Sequence, residues 1–196
     1  ERRHGGRLGV AILDTGNGRR ESYRDDERFL MCSTFKLLLV SAVLQRVDAG
    51  REKLDRRIVF GKDVLLDYAP TTKQHVGPPG MTVSELCEAA IILSDNTAAN
   101  LLLKEIGGPQ AVTAYARSLG DESTLLDRYE PTLNPYDMTT PNEMLGDMQQ
   151  LLLGDRLSPS SRGLLTRWLI ACQTGLQSLR AGIPKDWRVG DKTGQW

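Results

Sequence analysis

Cysteine and histidine are scarce in this sequence, and each scarcity excludes something. The three cysteines, Cys32, Cys87 and Cys172, are an odd number without C-x-x-C spacing. They do not read as a disulfide framework or a zinc ribbon. The two histidines, His4 and His75, lie far apart, so the sequence offers no ligand cluster, and neither a metal nor another cofactor is expected. Net charge is missing too: 25 Lys and Arg balance 25 Asp and Glu. No global field draws the chain to nucleic acid or to an anionic membrane. No apolar run reaches the length of a bilayer span. No signal peptide is present, and the sequence opens at Glu1-Arg2-Arg3; a leader removed ahead of that point would fit this start.

What is present is a globular composition. A chain of 196 residues allows one domain or two small ones, and with 40% hydrophobic and 26% charged residues it can bury a real core. Residues 7–14 (RLGVAILD) have the apolar, β-branched character of a buried strand. Thr15-Gly16-Asn17-Gly18 is a turn, and residues 19–24 return as the second strand of a hairpin.

The stretch Met31-Cys32-Ser33-Thr34-Phe35-Lys36 runs into Leu37-Leu38-Leu39-Val40 and reads as a helix ending near Gly50. Its apolar run is too continuous for a surface helix, so the helix should be buried. Ser33 and Lys36 are three apart and therefore neighbours on one face. A desolvated lysine loses its proton more easily. A serine beside such a base is the pattern of an activated nucleophile. Taken alone, the pair fits a capping serine with a snorkelling lysine at least as well.

Residues 51–81 are irregular and rich in proline and glycine. Helices follow with legible starts. Thr82-Val83-Ser84-Glu85 has capping-box spacing before an apolar stripe of Val83, Leu86, Cys87, Ala90 and Ile91. Residues 97–106 form a short helix stopped by Gly107-Gly108, and Pro109 opens the next, which stops at Gly120. Thr140-Pro141-Asn142-Glu143 is a second capping box, and Ser158-Pro159 starts the last helix, through residues 168–171. Cys87 and Cys172 lie on apolar faces and are expected as core thiols. Residues 120–140 show no period. Leu125, Leu126, Tyr129, Leu133 and Tyr136 suit an ordered Ω-type loop. Residues 187–194 read as an extended strand returning to the N-terminal hairpin. Strands, then helices, then a strand imply an α+β fold, with a sheet built from both chain ends and a helical domain inserted. The expected division is residues 1–26 with 181–196 for the sheet domain, and 27–180 for the all-α domain.

Three further segments carry polar groups. In Ser94-Asp95-Asn96, residues i and i+2 of an extended tripeptide face the same way, so Ser94 and Asn96 can face a cleft while Asp95 turns inward. These residues also suit a helix cap. Lys192-Thr193-Gly194 places a cation and a hydroxyl beside a glycine that permits close approach, or is a strand-end turn. Glu130-Pro131-Thr132-Leu133-Asn134 sets a carboxylate beside an amide. That pair can hold and activate a water, or can be a solvated loop.

Together and in this order, Ser33-Thr34-Phe35-Lys36, Ser94-Asp95-Asn96, Glu130 with Asn134, and Lys192-Thr193-Gly194 resemble class A serine β-lactamases. The resemblance covers nearly the whole chain, including Tyr68-Ala69-Pro70 and Asp191. It implies the serine β-lactamase / D,D-peptidase-like α+β fold and hydrolysis of penicillin- or cephalosporin-type rings through an acyl-enzyme on Ser33. It implies that Lys36 contacts the nucleophile, that Ser94 relays a proton to the lactam nitrogen, and that Glu130 with Asn134 holds the hydrolytic water. Lys36 and Glu130 both stand as candidate acylation bases. Asn96 would bind the substrate's side-chain amide, and Lys192 and Thr193 its carboxylate. The backbone N–H groups of Ser33 and Gln195 would form the oxyanion hole, and Tyr68 would line the cleft mouth. The implied partner is a small β-lactam, with no nucleic acid and no membrane. The intact protein is expected as a periplasmic or secreted monomer.

The family continues past the point where this sequence stops, so sheet partners are expected on a second fragment, on a swapped copy or outside the given sequence. Activity of this chain alone is expected to suffer. Trp196 after Gln195 departs from the small residues usual there and bears on the oxyanion hole. Cys32 resembles a cysteine paired in some members, including carbapenemases, but no cysteine follows Lys192-Thr193-Gly194. The rivals are a D,D-peptidase, which would lack Glu130 and its loop, and a β-lactam sensor that stays acylated.

Overall fold

The computed structural model describes residues 1, 3, 5–130 and 136–195. Strand β1 (Val10–Leu13) pairs antiparallel with β2 (Arg20–Tyr23), Val10 opposite Tyr23 and Leu13 opposite Arg20. Asp14 shapes the turn, its Oδ1 accepting from Gly16 N at 2.8 Å and its Oδ2 from Asn17 Nδ2 at 2.7 Å. The hairpin leans on the helix at residues 141–152. At Gly9 the approach is so close that a Cβ would lie 2.4 Å from the Phe29 ring and 2.9 Å from Pro141 Cγ.

Helix α1 (Phe35–Asp48) is the axis of the molecule. Every residue from Phe35 to Leu44 is buried, as the unbroken apolar run requires. Around it pack α2 (Val83–Ile92), α3 (Asn96–Ile106), α4 (Pro109–Leu119) and α6 (Pro159–Ile170), with α5 (Pro141–Leu152) between α4 and α6. The capping box at Thr82 forms with both of its bonds, and Gly107 and Gly120 end α3 and α4 in the left-handed conformation. Cys87 and Cys172 are buried, as their apolar neighbours imply. Two short ladders tie the loops: β3 (Phe29–Leu30) with β6 (Met138–Thr139), and β4 (Arg57–Ile58) with β5 (Met81–Thr82). Among the described residues no helix is long and apolar enough to cross a membrane.

The mixed helix and sheet content is that of an α+β fold. The C-terminal segment departs from expectation. Residues 187–194 form no strand and pair with no residue of β1; among the described residues β1 pairs with β2 alone. The segment's polar groups go elsewhere. Asp191 N donates to Leu169 O at 3.1 Å, and Arg180 reaches both the Asp191 carboxylate and that same carbonyl. Gly194 passes so close to the start of α1 that a Cβ would lie 2.6 Å from Met31 O. The segment is therefore fixed by α6 and the turn that precedes α1, not by a sheet.

Candidate active site

Ser33 does not sit in α1 itself. It occupies a single 3₁₀ turn, Cys32–Thr34, that feeds the helix. Cys32 enters this turn at φ +43°. A non-glycine residue held there costs on the order of 1–3 kcal/mol and persists only when its surroundings fix it. Thr34 helps, donating from both N (3.0 Å) and Oγ1 (2.6 Å) to Met31 O. The turn places Ser33 Oγ 2.9 Å from Lys36 Nζ, the contact that the three-residue spacing predicts.

Lys36 is fully buried. Its ammonium donates to Ser33 Oγ, to Ser94 O at 2.9 Å, to Ser94 Oγ at 3.3 Å and to Asn96 Oδ1 at 2.5 Å, and lies 3.4 Å from Glu130 Oε1. Burial disfavours its charge and lowers its pKa to about 8, partly opposed by the nearby Glu130 carboxylate. At that value an appreciable fraction is neutral near physiological pH and can accept a proton.

Ser94 and Asn96 do face the same point, but not by an extended backbone. Ser94 adopts φ +58°, a left-handed residue, and α3 begins immediately at Asn96. The reason is Asp95. Fully buried, it caps α3 by accepting from Ala98 N at 2.9 Å. It also clasps the preceding loop through Thr71 N and Thr72 N, both at 2.9 Å. Asn96 N bonds Tyr68 O at 3.0 Å, so the same junction fixes Tyr68, half exposed at the cleft mouth.

Glu130 reaches the site from the long loop. Its Oε1 accepts from Ser33 Oγ at 3.4 Å. Its backbone is pinned by Asn100, whose Nδ2 donates to Glu130 O at 2.7 Å and whose Oδ1 accepts from Glu130 N at 2.9 Å. Sequence reasoning missed Asn100. The available signal was its position four residues after Asn96, on the same face of α3. Asn134 lies outside the described residues. Replacing Asn100 by Ala removes both bonds and leaves a part-buried amide and carbonyl short of partners, at about 1–3 kcal/mol each. The expected result is faster amide hydrogen exchange at Glu130 with little change in the protection of α1.

Lys192 completes a cationic wall. Its Nζ donates to Ser94 Oγ at 3.0 Å and to Thr193 O at 2.8 Å. Burial, and then the positive charge of Lys36, lower its pKa to about 8. Thr193 Oγ1 shares a 2.5 Å hydrogen bond with Thr174 Oγ1, a second residue that the sequence did not disclose, since it follows α6 in an aperiodic stretch. Ser33, Tyr68, Ser94, Asn96, Thr174, Thr193 and Gln195 line one cavity of about 260 Å³. Every described site residue singled out from the sequence thus lies on this cavity or hydrogen-bonds to a residue that does. The larger space of about 560 Å³ on the far side of Lys192 is walled by apolar residues such as Leu37, Leu152 and Leu169 and holds no nucleophile. All three cysteines are free thiols, and burial, then the Glu130 charge, push that of Cys32 up.

A hydroxyl, a depressed lysine, a carboxylate and a second lysine therefore converge on one polar cavity. Such an arrangement can support acyl transfer through a serine. The model of the "Beta-lactamase enzyme family" matches residues 1–196. The chain is 50% identical over 195 residues to β-lactamase L2 of Stenotrophomonas maltophilia, covering 96% of this chain and 64% of that protein's length. It is 48% identical over 206 residues to a β-lactamase of Streptomyces albus G, covering 99% and 65%. An ancestral class A β-lactamase (GNCA) superposes with a TM-score of 0.95 at 63% identity, over 98% of this chain and 76% of that one. A putative class A β-lactamase, PenP, from Rhodopseudomonas palustris superposes with a TM-score of 0.94 at 57% identity, over 97% and 75%. The chain thus spans somewhat under two thirds of the length of these two curated relatives.

Proposed function

The chain belongs to the beta-lactamase enzyme family, and from that membership we propose that its site hydrolyses β-lactams through an acyl-enzyme on Ser33. The observation that carries the reading is the placement of Ser33 Oγ between two proton acceptors, 2.9 Å from Lys36 Nζ and 3.4 Å from Glu130 Oε1.

In the first half-reaction Ser33 Oγ attacks the lactam carbonyl carbon. Its proton passes to neutral Lys36, or through a water to Glu130. The carbonyl oxygen becomes an oxyanion, and the backbone N–H groups of Ser33 and Gln195, both on the cavity wall, are the donors assigned to it. As the C–N bond breaks, the ring nitrogen takes the Ser94 hydroxyl proton. Ser94 is resupplied by Lys36 or Lys192, whose ammonium groups lie 3.3 and 3.0 Å from its oxygen. Lys192 and Thr193 hold the substrate's carboxylate, Asn96 its side-chain amide, and Tyr68 the cleft mouth. In the second half-reaction a water gives its proton to Glu130 and its oxygen to the ester carbon, and Ser33 Oγ leaves with a proton.

Glu130 separates this reading from its rivals. A D,D-peptidase or a sensor that stays acylated needs no carboxylate against the nucleophile. We assign residues 27–180 to an all-α domain and residues 1–26 to the sheet hairpin that leans on it, with residues 187–195 laid against α6 and the turn before α1, and place the protein in the periplasm or outside the cell as a monomer. Nitrocefin decides the activity. Continuous turnover at many equivalents supports hydrolysis, a single burst of one equivalent identifies a sensor, and no acylation of Ser33 at all removes the proposal.

A further inference from the structure

Among the described residues five buried side-chain atoms lack a partner, and three of them belong to one cluster away from the cavity: Asp121 Oδ2, Asp147 Oδ2 and the Tyr115 hydroxyl. Asp121 and Asp147 are 2% and 1% exposed, and their carboxyl groups lie close enough that a proton on one can hydrogen-bond the other. Asp121 follows α4, and its Oδ1 accepts from Ser123 N and Thr124 N, both at 2.8 Å. Asp147 sits in α5. Glu143, Asp147 and Gln150 are spaced as one face of that helix. Glu143 Oε1 accepts from Glu122 N and Ser123 Oγ, each at 3.2 Å, and Gln150 Nε2 donates to Leu119 O. A polar stripe of α5 is thus laid along residues 119–123, with Asp147 at its centre against Asp121. The segment between these two elements, 120–140, is the one that carries Glu130.

Two ionised carboxylates cannot stay together in a buried seam. Their charges repel, and the Oδ2 atom of each has no donor. The facing cation is Arg117, with Nη1 3.7 Å from Asp121 Oδ1. Glu143 on α5 adds negative charge, and the Tyr115 ring from α4 is neutral, its hydroxyl acted on by the charges of Asp147, then Arg156, then Asp48. One proton answers both difficulties: it is the missing donor and it removes one charge.

We propose that Asp121 and Asp147 share a single proton, and that this proton latches α5 to the end of α4 and closes the base of the Glu130 segment. The latch is independent of the reaction assigned to the cavity. Burial, then the charge of Asp121, raise the Asp147 pKa from 3.8 to about 8. The folded chain therefore keeps a proton that the unfolded chain releases across that window. The stabilisation is full below 3.8 and is lost as pH rises through about 8.

Infrared or carbon NMR titration of the 196-residue chain tests this directly. A protonated buried carboxyl group is expected at neutral pH, disappearing above about 8 and absent from Asp147→Asn. That variant keeps the shape and supplies a donor without a proton. Its Tm relative to the parent should climb between about pH 4 and 8 and then level off. Amide exchange in residues 120–130 should quicken above about pH 8 in the parent, beyond the ordinary base catalysis seen in the variant. Titration of both carboxyls in the ordinary range overturns the proposal, and so does a Tm difference that is flat in pH. If Asp147→Asn fails to fold, the titration of the parent decides alone.

Discussion

Glu130→Ala is expected to halt the reaction at the acyl-enzyme. Mixed with a penicillin, the variant should show a lasting mass increase equal to the intact drug, where the parent shows none at steady state. An acylated serine is an ester that water attacks slowly unless a base takes its proton. The carboxylate of Glu130 is the group placed for that, on the Ser33 side of the cleft at 3.4 Å from its oxygen. General-base assistance is worth about 10²–10⁴-fold, so deacylation should fall by about that factor while acylation persists through Lys36. Glu130→Gln keeps the hydrogen-bonding shape and removes the base, and should trap the same species. Unimpaired turnover in either variant would show that another group activates the water.

The second large effect is on formation of that ester. Lys36→Ala should slow acylation by on the order of 10²–10⁴-fold, measured as the pre-steady-state burst with nitrocefin. The side chain touches Ser33, both oxygens of Ser94, and Asn96. Its loss therefore removes a proton acceptor, leaves polar atoms unpaired, and strips Glu130 of its close positive neighbour. With a pKa near 8, the parent should acylate faster as pH rises towards that value and Lys36 sheds its proton. Lys192 titrates in the same region, and the loss of its charge should raise KM for the anionic substrate beyond it. The variant should lose the first limb and keep the second. Survival of the first limb would move the acylation base to Glu130 and its water. Stability bears the opposite sign from the Asp121–Asp147 latch. Between about 8 and 10.5 the unfolded chain holds lysine protons that the folded one has shed, so these two lysines make folding more favourable as pH rises through that window.

Much of the site was legible because its contacts are local or pass through signals that a sequence carries. Ser33 and Lys36 meet because they are three residues apart across the 3₁₀ turn that opens α1. The helix starts at Thr82 and Ser158 were visible because an N-cap is a property of a few consecutive residues. Asp95 was readable as an inward residue, although the left-handed Ser94 that it enforces was not. The course of residues 187–194 was misread, because the β-branched Val189 and Thr193 state a preference for extension without stating its partner. Asn100 and Thr174 were missed for a related reason. Each acts on a residue 30 or 19 positions away, and the one local mark is the helical spacing of Asn100 from Asn96.

The sequence by itself settled which chemical groups are present and which near neighbours must meet: a serine and a lysine on one turn, a carboxylate in a long loop, and a cation before a hydroxyl and a glycine. Tertiary structure alone decided that these groups share one cavity, that the lysine there is dry enough to surrender its proton, and that a pair of distant aspartates lies face to face. The reason is physical. Adjacency along a chain is fixed by covalent geometry, whereas desolvation and the pairing of remote charges exist only once the core around α1 has closed and water has left.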